Sequence, residues 1–243
     1  MYRVNAEFFG LNYVGVPLHS DFTLDLEAML AAIHTHQPAL VFLAYPNNPT
    51  GGRFEREQME AIIQAAPGIV VIDEAYGAFS SDSFLRQAGT IDKLVVLRTL
   101  SKIGFAGLRV GYAAGAPALI HELRKIIPPY NVSQLNLAAA EFAMKYRPFI
   151  LQHINQSMGE RERMRTALRA YDCVEDFASE ANFLTVRVPD AQVLFDTLYA
   201  NKILIKNLHG THPLLDQCVR ITIGLPEQNQ AVLRVIDELY GNL

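Results

Sequence analysis

The sequence contains few cysteines and no excess of basic charge. Only Cys173 and Cys218 occur among 243 residues, too few and too far apart for a CxxC metal motif or a disulfide framework. Free thiols are what a reducing compartment favours. Lysine and arginine number 21 against 25 acidic side chains, which gives a net charge of −4. A protein of this charge has no basic footprint, so nucleic acid is not an expected partner.

Long hydrophobic runs are also missing from the chain. No stretch approaches the roughly 18 uninterrupted apolar residues of a membrane span, and no charged-then-apolar leader opens the sequence. We therefore expect no membrane partner, no export and a cytoplasmic location. Hydrophobic residues make up 50% of the chain, which allows a chain of this length to bury a substantial core.

The most informative motif surrounds Lys102, in the run Arg-Thr-Leu-Ser-Lys-Ile-Gly-Phe-Ala-Gly-Leu-Arg at 98–109. A lysine at the end of a buried strand is desolvated, which disfavours the charged ammonium and releases the nucleophilic amine. Thr99, Ser101 and Arg109 supply the donors that a phosphate group prefers. The motif predicts a lysine that forms a Schiff base beside a bound phosphate. Taken alone, a strand-end lysine that points to water is the commoner arrangement.

Two further apolar runs end in polar residues. The β-branched run 69–72 is typical of a central parallel strand, and Asp73 follows it. Another run leads into the loop Pro-Asn-Asn-Pro-Thr-Gly at 46–51, which contains Asn48. Ligands of open α/β sheets bind at the carboxyl edge of the strands, so Asn48, Asp73 and Lys102 are expected together there. The Asp73 carboxylate suits the protonated ring nitrogen of a pyridine cofactor, although on its own a solvated strand-end acid is an equally good interpretation.

In this order, the motifs resemble the signature of the fold-type I pyridoxal-phosphate aminotransferases. The matching segments are Asn-Pro-Thr-Gly at 48–51, Asp-Glu-Ala-Tyr at 73–76, Ser-Lys at 101–102 and Gly-Leu-Arg at 107–109. The chain is most similar to the histidinol-phosphate aminotransferase branch, which the segments 128–132, 180–184 and 219–224 also match. The resemblance implies transfer of an amino group between glutamate or 2-oxoglutarate and a phosphorylated or oxo acceptor such as imidazole-acetol phosphate, in histidine biosynthesis.

The resemblance also implies a role for individual residues. Lys102 would carry pyridoxal 5'-phosphate and shuttle the proton during transfer, while Asp73 would hold the pyridinium nitrogen. Asn48 and Tyr76 would hydrogen-bond the phenolic oxygen of the cofactor. The other implied contacts are to the phosphate, from Thr99, Ser101 and Arg109, and to the substrate α-carboxylate, from Arg220 and Asn182. Without the resemblance, Arg220 would be interpreted as a rim arginine and Asn182 as a turn residue. No metal site is expected.

The alternation of strands and helices predicts an α/β fold with a mainly parallel sheet flanked by helices. Residues 1–132 are expected to form an incomplete fold-type I large domain with about five strands, the first of them at 12–16. Residues 133–243 would form a connecting helix and a C-terminal α+β small domain. By resemblance, the chain lacks the family's N-terminal third and would work as a homodimer.

Two alternatives to this assignment stay open. The first is a related pyridoxal-phosphate enzyme, either an aromatic aminotransferase or a decarboxylase of the threonine-phosphate type. The second is an inactive, truncated fragment without cofactor. We favour truncation of an active enzyme over sequence drift, because drift would not be expected to preserve the whole set of motif residues. These are Asn48, Asp73, Tyr76, Lys102, Arg109 and Arg220.

Overall fold

The computed structural model describes residues 1–241. This range contains eight α-helices and eight β-strands, and the strands form two four-stranded sheets. The helices are α1 (Tyr2–Phe8), α2 (Leu26–His36), α3 (Arg56–Ala65), α4 (Pro117–Lys125), α5 (Gln134–Lys145), α6 (Arg147–Leu168), α7 (Ala191–Ala200) and α8 (Pro226–Tyr240). The strands are β1 (Leu40–Ala44), β2 (Ile69–Asp73), β3 (Leu94–Thr99), β4 (Gly111–Gly115), β5 (Glu175–Asp176), β6 (Phe183–Arg187), β7 (Lys206–Asn207) and β8 (Cys218–Thr222).

The first sheet has the strand order β1-β2-β3-β4. Strands β1, β2 and β3 are parallel, and β4 pairs with β3 in the antiparallel direction. Parallel neighbours require a crossover connection, which α3 provides between β1 and β2. The three parallel strands therefore end at one edge of the sheet, at Ala44, Asp73 and Thr99. The predicted mainly parallel sheet is confirmed.

One face of this sheet is covered by α2 and α3. Along β1, Val41 and Leu43 are buried while Leu40 and Phe42 are exposed, the alternation that a strand requires when only one face is covered. Helix α3 presents Met59, Ile62 and Ile63 to the same core, because residues three and four apart share a helix face.

The second sheet has the order β5-β6-β8-β7 and is antiparallel throughout. Helices α6, α7 and α8 pack on it and share its core. The fully buried side chains of that core include Met164, Leu168, Leu184, Leu194 and Leu198. The predicted C-terminal α+β unit is thus present as a second sheet with its own core. The boundary between residues 132 and 133 stays a prediction.

The prediction of a strand at 12–16 is wrong. These residues adopt no regular structure, and Tyr13 and Val14 are 47% and 48% exposed. An apolar alternation becomes a strand only where a neighbouring strand completes its hydrogen bonds, and 12–16 pair with no strand in the part of the chain that the structure describes. The first sheet therefore has four described strands rather than about five.

Candidate active site

The loop that follows β1 is tied to the end of β2. Tyr45 donates its backbone N–H to the carbonyl oxygen of Asp73 at 2.9 Å. Further along, the N–H of Asn47 donates to the carbonyl of Gly52 at 2.8 Å, which closes the loop 46–51. Tyr45 is fully buried. Asn48 is thereby presented at the carboxyl edge of the sheet, as predicted from the strand order.

Asp73, the last residue of β2, holds two hydrogen bonds through its carboxylate. Oδ1 accepts from the backbone N–H of Ala75 at 2.9 Å, and Oδ2 accepts from the hydroxyl of Tyr2 at 2.6 Å. The Tyr2 ring stacks on Phe42 with a centroid separation of 4.6 Å. The sequence analysis gave Tyr2 no role, and no local pattern marks it, because its partner lies 71 positions away.

Glu74 follows Asp73 and is completely buried. Its carboxylate forms an ion pair with Arg98 at 2.6 Å, and it accepts hydrogen bonds from the hydroxyl of Ser83 at 2.8 Å and the N–H of Phe84 at 2.6 Å. Because Arg98 lies on β3, this pair fixes the loop after β2 against the neighbouring strand. The sequence analysis quoted both residues within motifs but missed their pairing.

Lys102 lies in the short 3-10 turn Ser101–Ile103, just beyond the end of β3. Its Nζ is 5.1 Å from the ring centroid of Tyr76. Tyr76 is itself buried and packs edge-on against Phe183 of the second sheet. Among residues 1–241, Nζ of Lys102 has no hydrogen-bond or ion-pair partner. The structure thus brings the predicted lysine and tyrosine together with an amine that is not engaged elsewhere in the described chain.

Two of the three predicted phosphate-binding residues lie together. The Thr99 hydroxyl donates to Oγ of Ser101 at 2.9 Å and accepts from the Ser101 backbone N–H at 3.0 Å. Arg109 is exposed and has a left-handed backbone, with φ of 54°. Its guanidinium donates to the carbonyl of Ala106 at 3.4 Å. The structure therefore places this guanidinium on a backbone carbonyl and does not bring it to the two hydroxyls.

Arg220, on β8, connects the second sheet to the asparagine loop. Its Nη1 donates to Oδ1 of Asn48 at 2.6 Å, and its guanidinium carbon lies 5.0 Å from the ring centroid of Phe183. Nε of Arg220 is buried and has no partner within residues 1–241. Asn182 immediately precedes β6, and its backbone carbonyl accepts a hydrogen bond from the N–H of Ile223 at 2.9 Å. The described side-chain hydrogen bonds do not include the Asn182 amide.

Glu180 is a second link between the two sheets that the sequence analysis missed. Its carboxylate accepts from Nε of Arg53 at 2.9 Å, the Ser80 hydroxyl at 2.6 Å and the Ser81 N–H at 2.7 Å. Burial alone would raise the pKa of Glu180, but the hydrogen bonds from Ser80, Ser81 and Arg53 outweigh burial and lower that pKa. The segment before β6 is therefore fastened to the loops that follow β1 and β2.

Glu180→Gln is expected to lower the free energy of unfolding by about 2 kcal/mol at neutral pH, because the negative charge is lost and an amide NH2, which cannot accept, replaces one of the two accepting oxygens. The folded-state pKa of Glu180 is depressed, so its stabilisation is fully present above the unfolded value of about 4.3 and is lost as pH falls through the lower folded pKa. Urea unfolding at neutral and acidic pH measures both effects. The exposed Glu141→Gln is the control; an equal loss at both pH values would contradict the assignment.

One cavity of the described structure is lined by none of the candidate residues. It has a volume of about 330 Å³ and is lined by Phe22, Thr50, Arg53 and Phe177, among others. Within residues 1–241, no group of three or more His, Cys, Asp or Glu side chains is arranged to hold a metal. No helix in that range is both long enough and apolar enough to cross a membrane.

Comparison with known proteins identifies the family. The model of the family described as aminotransferase class I and II matches residues 1–236. The chain belongs to this family. The resemblance stated from the motifs is thereby confirmed, and the four-stranded sheet with its C-terminal α+β unit is the fold of an aminotransferase of this class.

Two curated relatives share more than half of the residues of this chain. Histidinol-phosphate aminotransferase from Neisseria meningitidis serogroup B is 59% identical over 240 residues, which cover 99% of this chain and 66% of the relative. Histidinol-phosphate aminotransferase from Chromobacterium violaceum is 55% identical, with 99% and 67% covered. The chain thus spans about two thirds of the length of these relatives.

Solved structures of the same family superimpose closely on this chain. The histidinol-phosphate aminotransferase from Clostridium acetobutylicum has a TM-score of 0.91 at 25% identity. The superposition covers 100% of this chain and 75% of the Clostridium chain. The histidinol-phosphate aminotransferase from Sinorhizobium meliloti, solved in complex with pyridoxal-5'-phosphate, has a TM-score of 0.86 at 26% identity. The superposition covers 98% of this chain and 68% of the Sinorhizobium chain.

Proposed function

We propose that this chain contains the cofactor-binding core of a histidinol-phosphate aminotransferase that uses pyridoxal 5'-phosphate. The observation that carries the proposal is the unengaged amine of Lys102 beside Tyr76, at the strand edge that also presents Asp73 and Asn48. The identities of 55–59% to relatives of that name support the choice of substrate. The reaction moves an amino group between glutamate or 2-oxoglutarate and the histidinol phosphate or imidazole-acetol phosphate pair.

The donor and acceptor groups fit pyridoxal phosphate. Thr99 and Ser101 offer paired hydroxyls to a phosphate, and we include Arg109 in this set as the cation that would turn from Ala106 towards it. The Asp73 carboxylate suits a protonated ring nitrogen. Asn48 and Tyr76 would hold the phenolic oxygen. When bound, the cofactor supplies an electron sink for the negative charge that develops at the substrate Cα.

Lys102 is the proposed general base and acid. The amine of Lys102 would accept the proton from the substrate Cα and deliver it to C4′ of the cofactor. Such a role requires an amine that no carboxylate holds as an ammonium, which agrees with its surroundings among residues 1–241. The same amine would hold the cofactor before the substrate binds, so once released it would lie within reach of the reacting carbon.

Arg220 is the proposed carboxylate-binding residue. A guanidinium binds a carboxylate through two parallel N–H donors, and the ring of Phe183 supports its flat face. The buried Nε without a partner leaves one donor of that fork available. Asn48 fixes the orientation of Arg220 through the 2.6 Å bond to Nη1. We propose Asn182 as a second contact to the same carboxylate, supported by its place at the start of β6, next to β8.

The proposal also includes a cytoplasmic homodimer. Large apolar side chains are exposed on α5, on α6 and at the residue between them, which agrees with a surface that a second copy covers. They are Leu135, Phe142, Tyr146 and Phe149. The small-molecule donor and acceptor are the other proposed partners.

Product analysis tests the proposed function. With pyridoxal phosphate, histidinol phosphate and 2-oxoglutarate added to the purified chain, we expect glutamate and the oxo product in equal amounts. Histidinol without its phosphate is the control substrate and should react much more slowly. Release of CO2 from threonine phosphate without an oxo acid would assign a decarboxylase instead, and preference for aromatic amino acids would assign an aromatic aminotransferase. Either result would overturn the proposed substrate.

A further inference from the structure

Within residues 1–241, Tyr2 makes the only side-chain hydrogen bond to the Asp73 carboxylate. Its hydroxyl lies 2.6 Å from Oδ2, while the other donor to that carboxylate is the backbone N–H of Ala75 on Oδ1. Each carboxylate oxygen therefore has one fixed donor and keeps a further lone pair. Two donors at opposite ends of a carboxylate restrict its rotation about the Cβ–Cγ bond, which a single donor does not.

The Tyr2 side chain is itself held in place. Its ring stacks nearly parallel on Phe42 of β1, with 16° between the ring planes. Burial raises the pKa of the Tyr2 phenol, and the hydrogen bond to Asp73 raises it further. The phenol therefore stays protonated and remains a donor. Because Phe42 pairs with Val71, two residues before Asp73, this arrangement holds the Tyr2 ring beside the end of β2.

We propose that Tyr2 is a positioning residue whose hydroxyl holds the Asp73 carboxylate in the orientation that recognises the protonated ring nitrogen of the cofactor. This inference rests on the proposed function, because it concerns how the ring nitrogen of that cofactor is recognised. A hydrogen bond to a charged group is stronger than one between neutral groups, so the hydroxyl of Tyr2 contributes to this orientation more than its ring does.

The test compares two cofactors in two variants. Tyr2→Phe keeps the aromatic ring on Phe42 and removes only the hydroxyl, and Tyr13→Phe removes an exposed hydroxyl from the same N-terminal segment. The probes are pyridoxal phosphate and its analogue in which CH replaces the ring nitrogen. The measurement is the dissociation constant of each probe, followed by absorption and confirmed by borohydride trapping on lysine.

We expect Tyr2→Phe to reduce the preference for pyridoxal phosphate over the ring-carbon analogue by roughly tenfold, with no change in Tyr13→Phe. If Tyr2 had a purely structural role, Tyr2→Phe would weaken the binding of both probes equally and leave the ratio of their dissociation constants unchanged. That result would overturn the inference while the proposed function stands. Failure of the unaltered chain to trap pyridoxal phosphate would instead overturn the proposed function and this inference with it.

Discussion

Lys102→Ala is expected to abolish covalent attachment of pyridoxal phosphate and to lower transamination by roughly 10³- to 10⁴-fold. Alanine removes the amine that binds the cofactor and that carries the proton to and from the substrate Cα. No other lysine in the described chain lies beside Tyr76. The measurement is borohydride reduction followed by peptide mass mapping, together with the rate of glutamate formation.

Lys125→Ala is the matched control for this prediction. Lys125 is exposed on α4, where it pairs with Glu122, so its loss should leave cofactor attachment and rate unchanged. Folding of each variant is checked by its unfolding midpoint in urea, since Lys102 carries no hydrogen bond that its loss would break in residues 1–241. A trapped adduct on another lysine with full activity in Lys102→Ala would show that the assigned residue is wrong.

Arg98→Met is expected to lower the free energy of unfolding by about 3–5 kcal/mol, the cost of leaving a buried charge unpaired. Glu74 is fully buried and Arg98 is its ion-pair partner at 2.6 Å, with the side chain of Arg98 18% exposed. Removing Arg98 leaves the carboxylate with neutral donors from Ser83 and Phe84 only. Urea unfolding followed by circular dichroism measures the loss.

Two further variants separate charge from packing. Adding Glu74→Gln to Arg98→Met removes the unpaired charge while keeping an acceptor for Phe84, so the double variant should recover most of the lost stability. Arg3→Met breaks the exposed pair with Glu7 and should leave the free energy of unfolding almost unchanged, because solvent screens an exposed ion pair. If the double variant were no more stable than Arg98→Met, packing of the arginine stem rather than pairing would explain the loss.

The fold could be predicted wherever the hydrophobic pattern was continuous. The run 69–72 forms most of β2, because a strand buried on both faces needs an uninterrupted apolar sequence. Lys102 follows the end of β3, as its position after the apolar run 94–97 predicts. The prediction failed at 12–16, where the pattern resembled a strand but no neighbour supplied backbone partners. Periodicity describes which face of a segment is apolar, and strand pairing depends on what lies beside it.

The candidate site was predictable as a set of residues and much less so as a set of contacts. Asn48, Asp73 and Lys102 follow from the rule that parallel strands end at one edge. The placement of Arg109 on the Ala106 carbonyl did not follow, because an exposed side chain in a turn takes its direction from local backbone geometry. Glu74 and Arg98 stood in two motifs, yet nothing in either motif indicates that they pair.

The sequence by itself determined the family, the parallel strands β1 to β3 with their intervening helix, and the residues that carry the proposed chemistry, because these depend on local pattern and motif spacing. Only the tertiary structure decided which distant groups meet: Tyr2 with Asp73 across 71 positions, Ser80 with Glu180 across 100, and Asn48 with Arg220 across 172. The physical reason is that a hydrogen bond depends on distances of a few ångströms in space. Those distances are set by how the two sheets pack, and no separation along the chain encodes them.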